Sequence, residues 1–439
     1  MRPAERLMAG EGSIGLWGAV AIGIGGMVGG GIFAVLGVVA EDTGGGAPLA
    51  FLIAGTVALL TATSYARLSV AYPSRGGSVV FIDKAFGIGA LTGALNNLLW
   101  FGYLVTLSLY AVAFANYAAT FFSSDGNVHG WLLHTLISGA IIVPTGLNLL
   151  SASAVARTET AVVVIKLALL ILVGLFGATT VDSSRLATST WPSFPAIAAA
   201  GMLVFVAYEG FELIANTADD IRDLSRTLPR AVFISVGAVL VIYIGIAAVT
   251  VGSLAPDEIA RAADFALAEA AKPSLGNAGF LIVAGSAVLA TFSAINATLY
   301  GAARLSYSIA REGELPPVLE RKVWSEPVGL LITAAVALLL ANTLNVSEIS
   351  ALASSVFLIV FGASNASAVK KWREIGASRV VSGAGVVGCA AALVALIAKT
   401  VPDQPASVIL LGAVIVLAVG AEFLWLRHRR AVSLSDEFR

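Results

Sequence analysis

The chain is an almost continuous series of apolar runs, each about 20 residues long and joined to the next by a short polar stretch. A helix rising about 1.5 Å per residue needs that length to cross a hydrocarbon layer of about 30 Å. Within such a layer a continuous apolar run can pair its backbone N–H and C=O groups only as a helix. Twelve spans are predicted, near 14–40, 48–72, 91–122, 131–150, 160–180, 195–217, 231–252, 277–310, 327–345, 349–369, 383–399 and 406–426. The fold class is therefore an all-α polytopic membrane protein of about twelve transmembrane helices. Composition agrees, with 58% hydrophobic and 12% charged residues, against about 45–50% and about 25% in soluble domains. The first run is too long for a signal-peptide core and no small-residue cleavage site precedes the next joint, so it is expected to be retained.

The basic residues orient these spans. Of the 26 lysines and arginines, 21 fall on the side that carries both termini. Arg185, Arg261, Lys272 and Lys399 fall on the other side, and Lys166 lies inside a span. Positive residues collect in the cytoplasm, which puts both termini inside and the protein in the cytoplasmic membrane. The expected segments are a cytoplasmic lead at 1–13, five helices over 14–180, five more over 195–369, two further helices over 383–426 and a cytoplasmic tail at 427–439. The longest joint, PDEIARAADFALAEAAKP at 256–273, has apolar residues at helical spacing and is expected to form a short helix over the external mouth. The net charge of −1 is uninformative, and no nucleic-acid partner is expected. The single cysteine, Cys389, excludes an intramolecular disulfide.

The first span contains AIGIGGMVGGGIF at 21–33, in which six of thirteen positions are glycine. Each costs about 1 kcal/mol of helix preference against alanine. Gly25/Gly29 and Gly26/Gly30 form small-xxx-small pairs suited to close helix packing, but packing does not require the consecutive Gly29, Gly30 and Gly31. The run lacks the spacing of a nucleotide-binding loop and follows no strand. The sixth span carries FVAYEGFELIAN at 205–216, where Glu209 and Glu212 flank Gly210 at membrane depth. A carboxylate at a bilayer centre costs about 2.5–3.5 kcal/mol, so it faces a cavity or a partner. The first and sixth spans each open a set of five. Two interrupted helices in equivalent places are the pattern of an inverted-repeat transporter, with N–H groups turned to an anion and carbonyls to a cation. A free amino acid carries both charges on one carbon.

Lys166 is the only basic residue in the middle of a span. It reads either as a proton carrier, because burial disfavours its charge, or as a lysine that snorkels to the nearby interface.

These motifs, with AYPSRGGSVVFIDKAFG (71–87), VIKLALLILVG in the fifth span, the longer stretch 205–231 and SAINATLYGAARLSYSIAREGELP (293–316), resemble the amino acid/polyamine/organocation permeases. The similarity runs in order over about residues 12 to 375. The resemblance implies a five-plus-five inverted repeat with two C-terminal helices, and secondary active transport of amino acids or related amines. It implies an unwound first helix at Met27 to Gly31. There the N–H groups of Gly30 and Gly31 would take a substrate carboxylate and the carbonyl of Met27 would face its ammonium. Many relatives carry Ser or Thr where this chain has Gly30, so one hydroxyl contact is missing. Phe205, Val206, Tyr208, Glu209 and Gly210 match the unwound part of the sixth helix. Lys166 matches the fifth-helix lysine of proton-coupled members, with Ser293 and the carbonyl of Gly23 or Gly26 as its expected neighbours.

The side-chain pocket is expected to draw on Phe205, Tyr208, Tyr103, Thr106, Asn296 and Phe357. The leading expectation is a proton-coupled amino acid symporter working by alternating access, with a small-molecule substrate, the proton and the lipid bilayer as partners. An exchanger, a carrier of polyamines or organic cations with Glu209 as the cation partner, and a non-transporting sensor remain open. No catalytic constellation is visible, since His129, His134 and His428 lie at or near span ends, and no cofactor or metal is expected.

Overall fold

The computed structural model describes residues 12–74, 76–123, 128–150, 152–311, 322–323 and 326–437. The expected lead at 1–13 falls almost wholly outside these residues, as do Arg75, Arg321 and Arg439. Each expected apolar stretch is helical. The first is split into α1 (Leu16–Met27) and α2 (Gly30–Thr43). Next come α3 (Ala47–Ala71), the short α4 (Ser78–Phe86), α5 (Ala90–Ala119), α6 (Gly130–Leu150) and α7 (Ala152–Gly177). The sixth stretch is also split, into α8 (Phe194–Val204) and the short α9 (Glu212–Ala215). It leads to α10 (Leu224–Ser253), the short α11 (Pro256–Arg261) and α12 (Ala266–Ala270), and the long α13 (Lys272–Arg311). A small antiparallel pair, β1 (Lys322–Val323) and β2 (Glu326–Pro327), precedes α14 (Val328–Thr343), α15 (Val346–Lys370), α16 (Arg379–Asp403) and α17 (Pro405–Glu437).

Among the described residues ten helical segments, two of them joining α2 with α3 and α8 with α9, are long and apolar enough to cross a membrane; α1 and α14 are shorter apolar helices. Burial sorts them into a centre and a rim. The apolar stretch of α5 is 83% buried, whereas those of α7, α16 and α17 are each 28% buried. What the rim exposes is large and apolar. Val380, Val387, Val394 and Val401 stand exposed along one face of α16, and Ile409 and Val416 do so on α17. In water, apolar surface this continuous is rare, and in a bilayer it is the lipid-facing surface.

At the centre, α5 packs on α13 and α15, α10 on α3 and α1, and α8 on α3 and α2. The two interrupted stretches are tied to each other outside their breaks as well. Ile14, just before α1, donates its N–H to the Asp220 carbonyl, and Arg222 N–H donates back to the Ile14 carbonyl, both at 2.9 Å. The joint at 256–273 holds two short helices and an intervening turn rather than one helix. It caps α2 closely, with Gly37 directly against the backbone of Ala263.

Candidate substrate site

The interruption in the first stretch is narrower than Met27 to Gly31. Only Val28 (φ −79°, ψ 53°) and Gly29 (φ −95°, ψ −139°) leave helical geometry, while Met27 ends α1 and Gly30 starts α2. The consequence for polar groups is nevertheless large, because every helix end leaves backbone groups without intrahelical partners. The last turn of α1 offers carbonyls and the first turn of α2 offers N–H groups, including those of Gly30 and Gly31.

The structure accounts for two of these carbonyls. Lys166 Nζ donates to the carbonyl of Gly25 at 2.8 Å, and the side chain is 3% exposed. The carbonyl taken is thus Gly25, between the expected Gly23 and Gly26. Those two glycines serve contact instead: a Cβ on Gly23 would strike Ile214 and Ser235, and one on Gly26 would lie 2.9 Å from the Gly210 carbonyl oxygen. The carbonyl of Met27, expected to face an ammonium, accepts from the Tyr243 hydroxyl of α10 at 2.7 Å. Ser293 on α13 is half-buried, and its neighbour Ala294 lies against Gly29.

The interruption in the sixth stretch is longer and is built differently. Phe205 to Tyr208 form a tight 3-10 turn, Glu209 is extended (φ −62°, ψ 143°), and Gly210 has φ +121°. A side chain at that φ is strained, and a Cβ on Gly210 would also lie 2.5 Å from Met27 N. Glycine is therefore required where the two breaks touch. Gly31 likewise lies against Ala207, with 2.8 Å between its would-be Cβ and the Ala207 Cα. The Tyr243 hydroxyl that reaches Met27 also lies 3.2 Å from the Ala207 carbonyl, so one side chain of α10 bridges both breaks. On the far side, Val206 N–H donates to Ser354 Oγ of α15 at 3.0 Å.

The remaining expected residues separate into two groups. Gly30 lies beneath the ring of Tyr110 from α5, so the space of the missing Ser or Thr side chain is filled by an aromatic ring. Tyr110 Oη lies 3.5 Å from Glu209 Oε2, Tyr103 Oη 3.4 Å from Glu212 Oε1, and Gly210 N–H donates to Glu212 Oε2 at 2.7 Å. These groups converge at the junction of the breaks. By contrast, the Tyr208 hydroxyl is committed to the Phe51 carbonyl of α3 at 2.9 Å and its ring lies over Gly55, which turns it away from the junction. Phe205 packs edge-on against Phe361, and Phe357 against Tyr103, with centroids 6.0 and 5.9 Å apart. Asn296 accepts from Asn148 Nδ2 of α6 at 2.6 Å. Among the described residues no group of three or more His, Cys, Asp or Glu is placed to hold a metal ion.

Tyr110, Tyr243 and Ser354 were not visible from the sequence as parts of this junction. A usable signal existed for the tyrosines: a phenol inside an apolar span has to find a hydrogen-bond partner.

Interrupted helices that meet break to break inside a bundle of membrane helices are the architecture of a carrier for small polar solutes. A family model described as "Amino acid permease" matches residues 14–419, and the chain belongs to that family. Its broad activity is accordingly amino acid transport by a multi-pass membrane protein. The chain is similar to an uncharacterised protein of Methanocaldococcus jannaschii, 37% identical over 350 residues that cover 79% of this chain and 80% of that one. It is 35% identical over 366 residues to the inner membrane transport protein YbaT of Escherichia coli, covering 83% and 85% of the two. The human large neutral amino acids transporter small subunit 2 is 28% identical over 326 residues, which span 70% of this chain and 59% of that protein.

Proposed function

We propose that the protein is a secondary active transporter that imports amino acids across the cytoplasmic membrane by proton symport, with both termini in the cytoplasm. On this reading residues 14–180 and 195–369 are the two inverted five-helix halves. The solute carboxylate is held by the N–H groups of Gly30 and Gly31 at the start of α2, where the helix dipole favours an anion. Its ammonium lies among the backbone and side chains of Phe205 to Gly210.

The observation that carries the coupling step is the bond from Lys166 to the Gly25 carbonyl. A charged ammonium there sits at the negative end of α1 and fastens α7 to it. The neutral amine donates more weakly and lets α1 go, so protonation from one side and deprotonation on the other drive alternating access. The experiment is uptake of a labelled amino acid panel by purified protein in liposomes, without sodium, with and without an inward proton gradient. Gradient-driven accumulation is expected, and Lys166→Ala is expected to reduce it at least tenfold while solute binding persists. Full pH-driven uptake by the lysine-free variant overturns the coupling role. Uptake only against preloaded solute replaces symport by exchange.

A further inference from the structure

Where α4 meets the end of α15, a cleft of about 510 Å3 is lined by Ala85, Lys370, Lys371, Trp372, Arg373 and Glu374. Lys84 stands beside Ala85 in the last turn of α4. Two of the cations lie on aromatic rings: Lys370 Nζ is 4.8 Å from the centroid of Phe86, and the Arg373 guanidinium 5.1 Å from that of Trp372. Glu374 is already engaged, accepting from the Tyr72 hydroxyl at the end of α3 and from Lys371 Nζ at 2.9 Å. These two partners hold its carboxyl below the usual range. Among the described residues Lys84, Lys370 and Arg373 form no ion pair with a carboxylate. Four basic residues thus share this corner with two acidic ones, Glu374 and the half-buried Asp83 of α4, and its charge is +2 even with both acids ionised. Like charges gathered this closely repel, and an anion placed among them relieves that cost.

What flanks the cleft is apolar. Phe86 is exposed at the end of α4, Ile88 is 75% exposed in the turn that follows, and Leu91 is 64% exposed in the first turn of α5. Beyond the turn after α15, Val380, 81% exposed, opens the lipid-facing stripe of α16. The basic residues therefore stand at the level where hydrocarbon gives way to headgroups. They are well removed from the solute site, since Lys370 and Ser354 are 16 positions apart on α15, about 24 Å along the helix. We propose that this cleft binds the phosphate of an anionic phospholipid of the adjoining leaflet, with Arg373 and Lys370 as its ligands and Lys84 and Lys371 as supporting charges. The guanidinium offers a planar pair of N–H donors that matches two phosphate oxygens, and the ammonium supplies a compact charge. The acyl chains of such a lipid cover Ile88 and Leu91, a gain that a free phosphate cannot make, and this apolar flank decides for the lipid. The site is independent of which solute is carried and of the coupling ion.

The test is native mass spectrometry of the full chain, purified and delipidated in detergent, then titrated with phosphatidylglycerol or with phosphatidylcholine of the same acyl chains. Phosphatidylglycerol is expected to bind at least about tenfold more tightly. Combining Lys370→Gln with Arg373→Gln is expected to raise its Kd about thirtyfold, at about 1 kcal/mol for each charge removed and about 1.4 kcal/mol for each tenfold. Lys370→Arg keeps the charge and is expected to stay within about twofold of the unaltered chain. Arg261→Gln, on α11 at the other end of the bundle, removes one exposed charge and is expected to do the same. Equal binding of the two lipids overturns the proposal. An equal loss in Arg261→Gln also overturns it, because the effect would then be one of total charge. Displacement of phosphatidylglycerol by millimolar inorganic phosphate replaces the lipid by a free phosphate and overturns it as well. Should the double variant lose its monodisperse peak, Arg373→Gln alone carries the test, because that side chain is exposed. About a fivefold loss is expected there, and a loss of less than about twofold overturns the site.

Discussion

The two interruptions do the same thing to a helix by opposite means. The first is written in glycine, opens only Val28 and Gly29, and has its freed carbonyls met by side chains of other helices, Lys166 and Tyr243. The second is written in aromatic and acidic residues with a single glycine, and opens Phe205 to Phe211. It is met partly from within, by Glu212 on the N–H of Gly210, and partly by Ser354 and Tyr243. A membrane helix can therefore be opened either by weakening its preference for helix or by supplying hydrogen-bond partners that compete with the helix ladder. The first route leaves a narrow gap with fixed backbone, and the second a longer turn whose shape depends on its side chains.

Three substitutions bear on this contrast. Gly210→Ala is the most severe, because it places a side chain both at φ +121° and against the backbone of Gly26 and Met27. Backbone strain and overpacking together amount to at least about 3 kcal/mol. Loss of the monodisperse peak in detergent size-exclusion chromatography is expected. A wild-type elution profile and melting temperature would mean that the two breaks need not touch. Tyr243→Phe removes the donor shared by the Met27 and Ala207 carbonyls while keeping the ring, and should lower stability by about 1–3 kcal/mol. If the melting temperature of this variant is unchanged, the two breaks are held independently and the bridge is incidental. Ser354→Ala takes the acceptor from the Val206 N–H and the donor 3.3 Å from the Leu203 carbonyl, and should cost roughly 1 kcal/mol. A thermal shift equal to that of Tyr243→Phe would show that the second interruption depends on outside partners as much as the first.

The spans and the places of both interruptions were legible in the sequence, because length, apolarity and glycine clustering are local properties. Partners were not. Lys166 and Gly25 are 141 positions apart, Tyr243 and Met27 216, and Val206 and Ser354 148. Which residue of a span points at which break depends on helix rotation, and a single step turns a side chain by about 100°. That angle separates the expected Gly26 from the observed Gly25. Tyr208 illustrates the same limit. The family resemblance placed it at the junction, yet the tight turn from Phe205 sends its ring to α3. The expected width of the first interruption, Met27 to Gly31, was the one the family resemblance implied. The observed width is set by where helix geometry resumes, and glycine tolerates the first turn of α2 where its N–H groups are free in any case.

The exposed valines of α16 have a metric consequence. Val380 and Val401 stand at the two ends of the stripe, 21 residues apart, which at 1.5 Å per residue is about 32 Å. The stripe is therefore a ruler cut to the thickness of an ordinary hydrocarbon layer, about 30 Å. It carries Arg379 just outside one end and Asp403 just beyond the other. An upright α16 fits such a bilayer with almost no mismatch, whereas a layer several ångströms thinner forces the helix to tilt or the lipid beside it to thicken. Because α16 packs on α15, whose Ser354 holds the second interruption, a single helix stands between this lipid-facing stripe and that interruption.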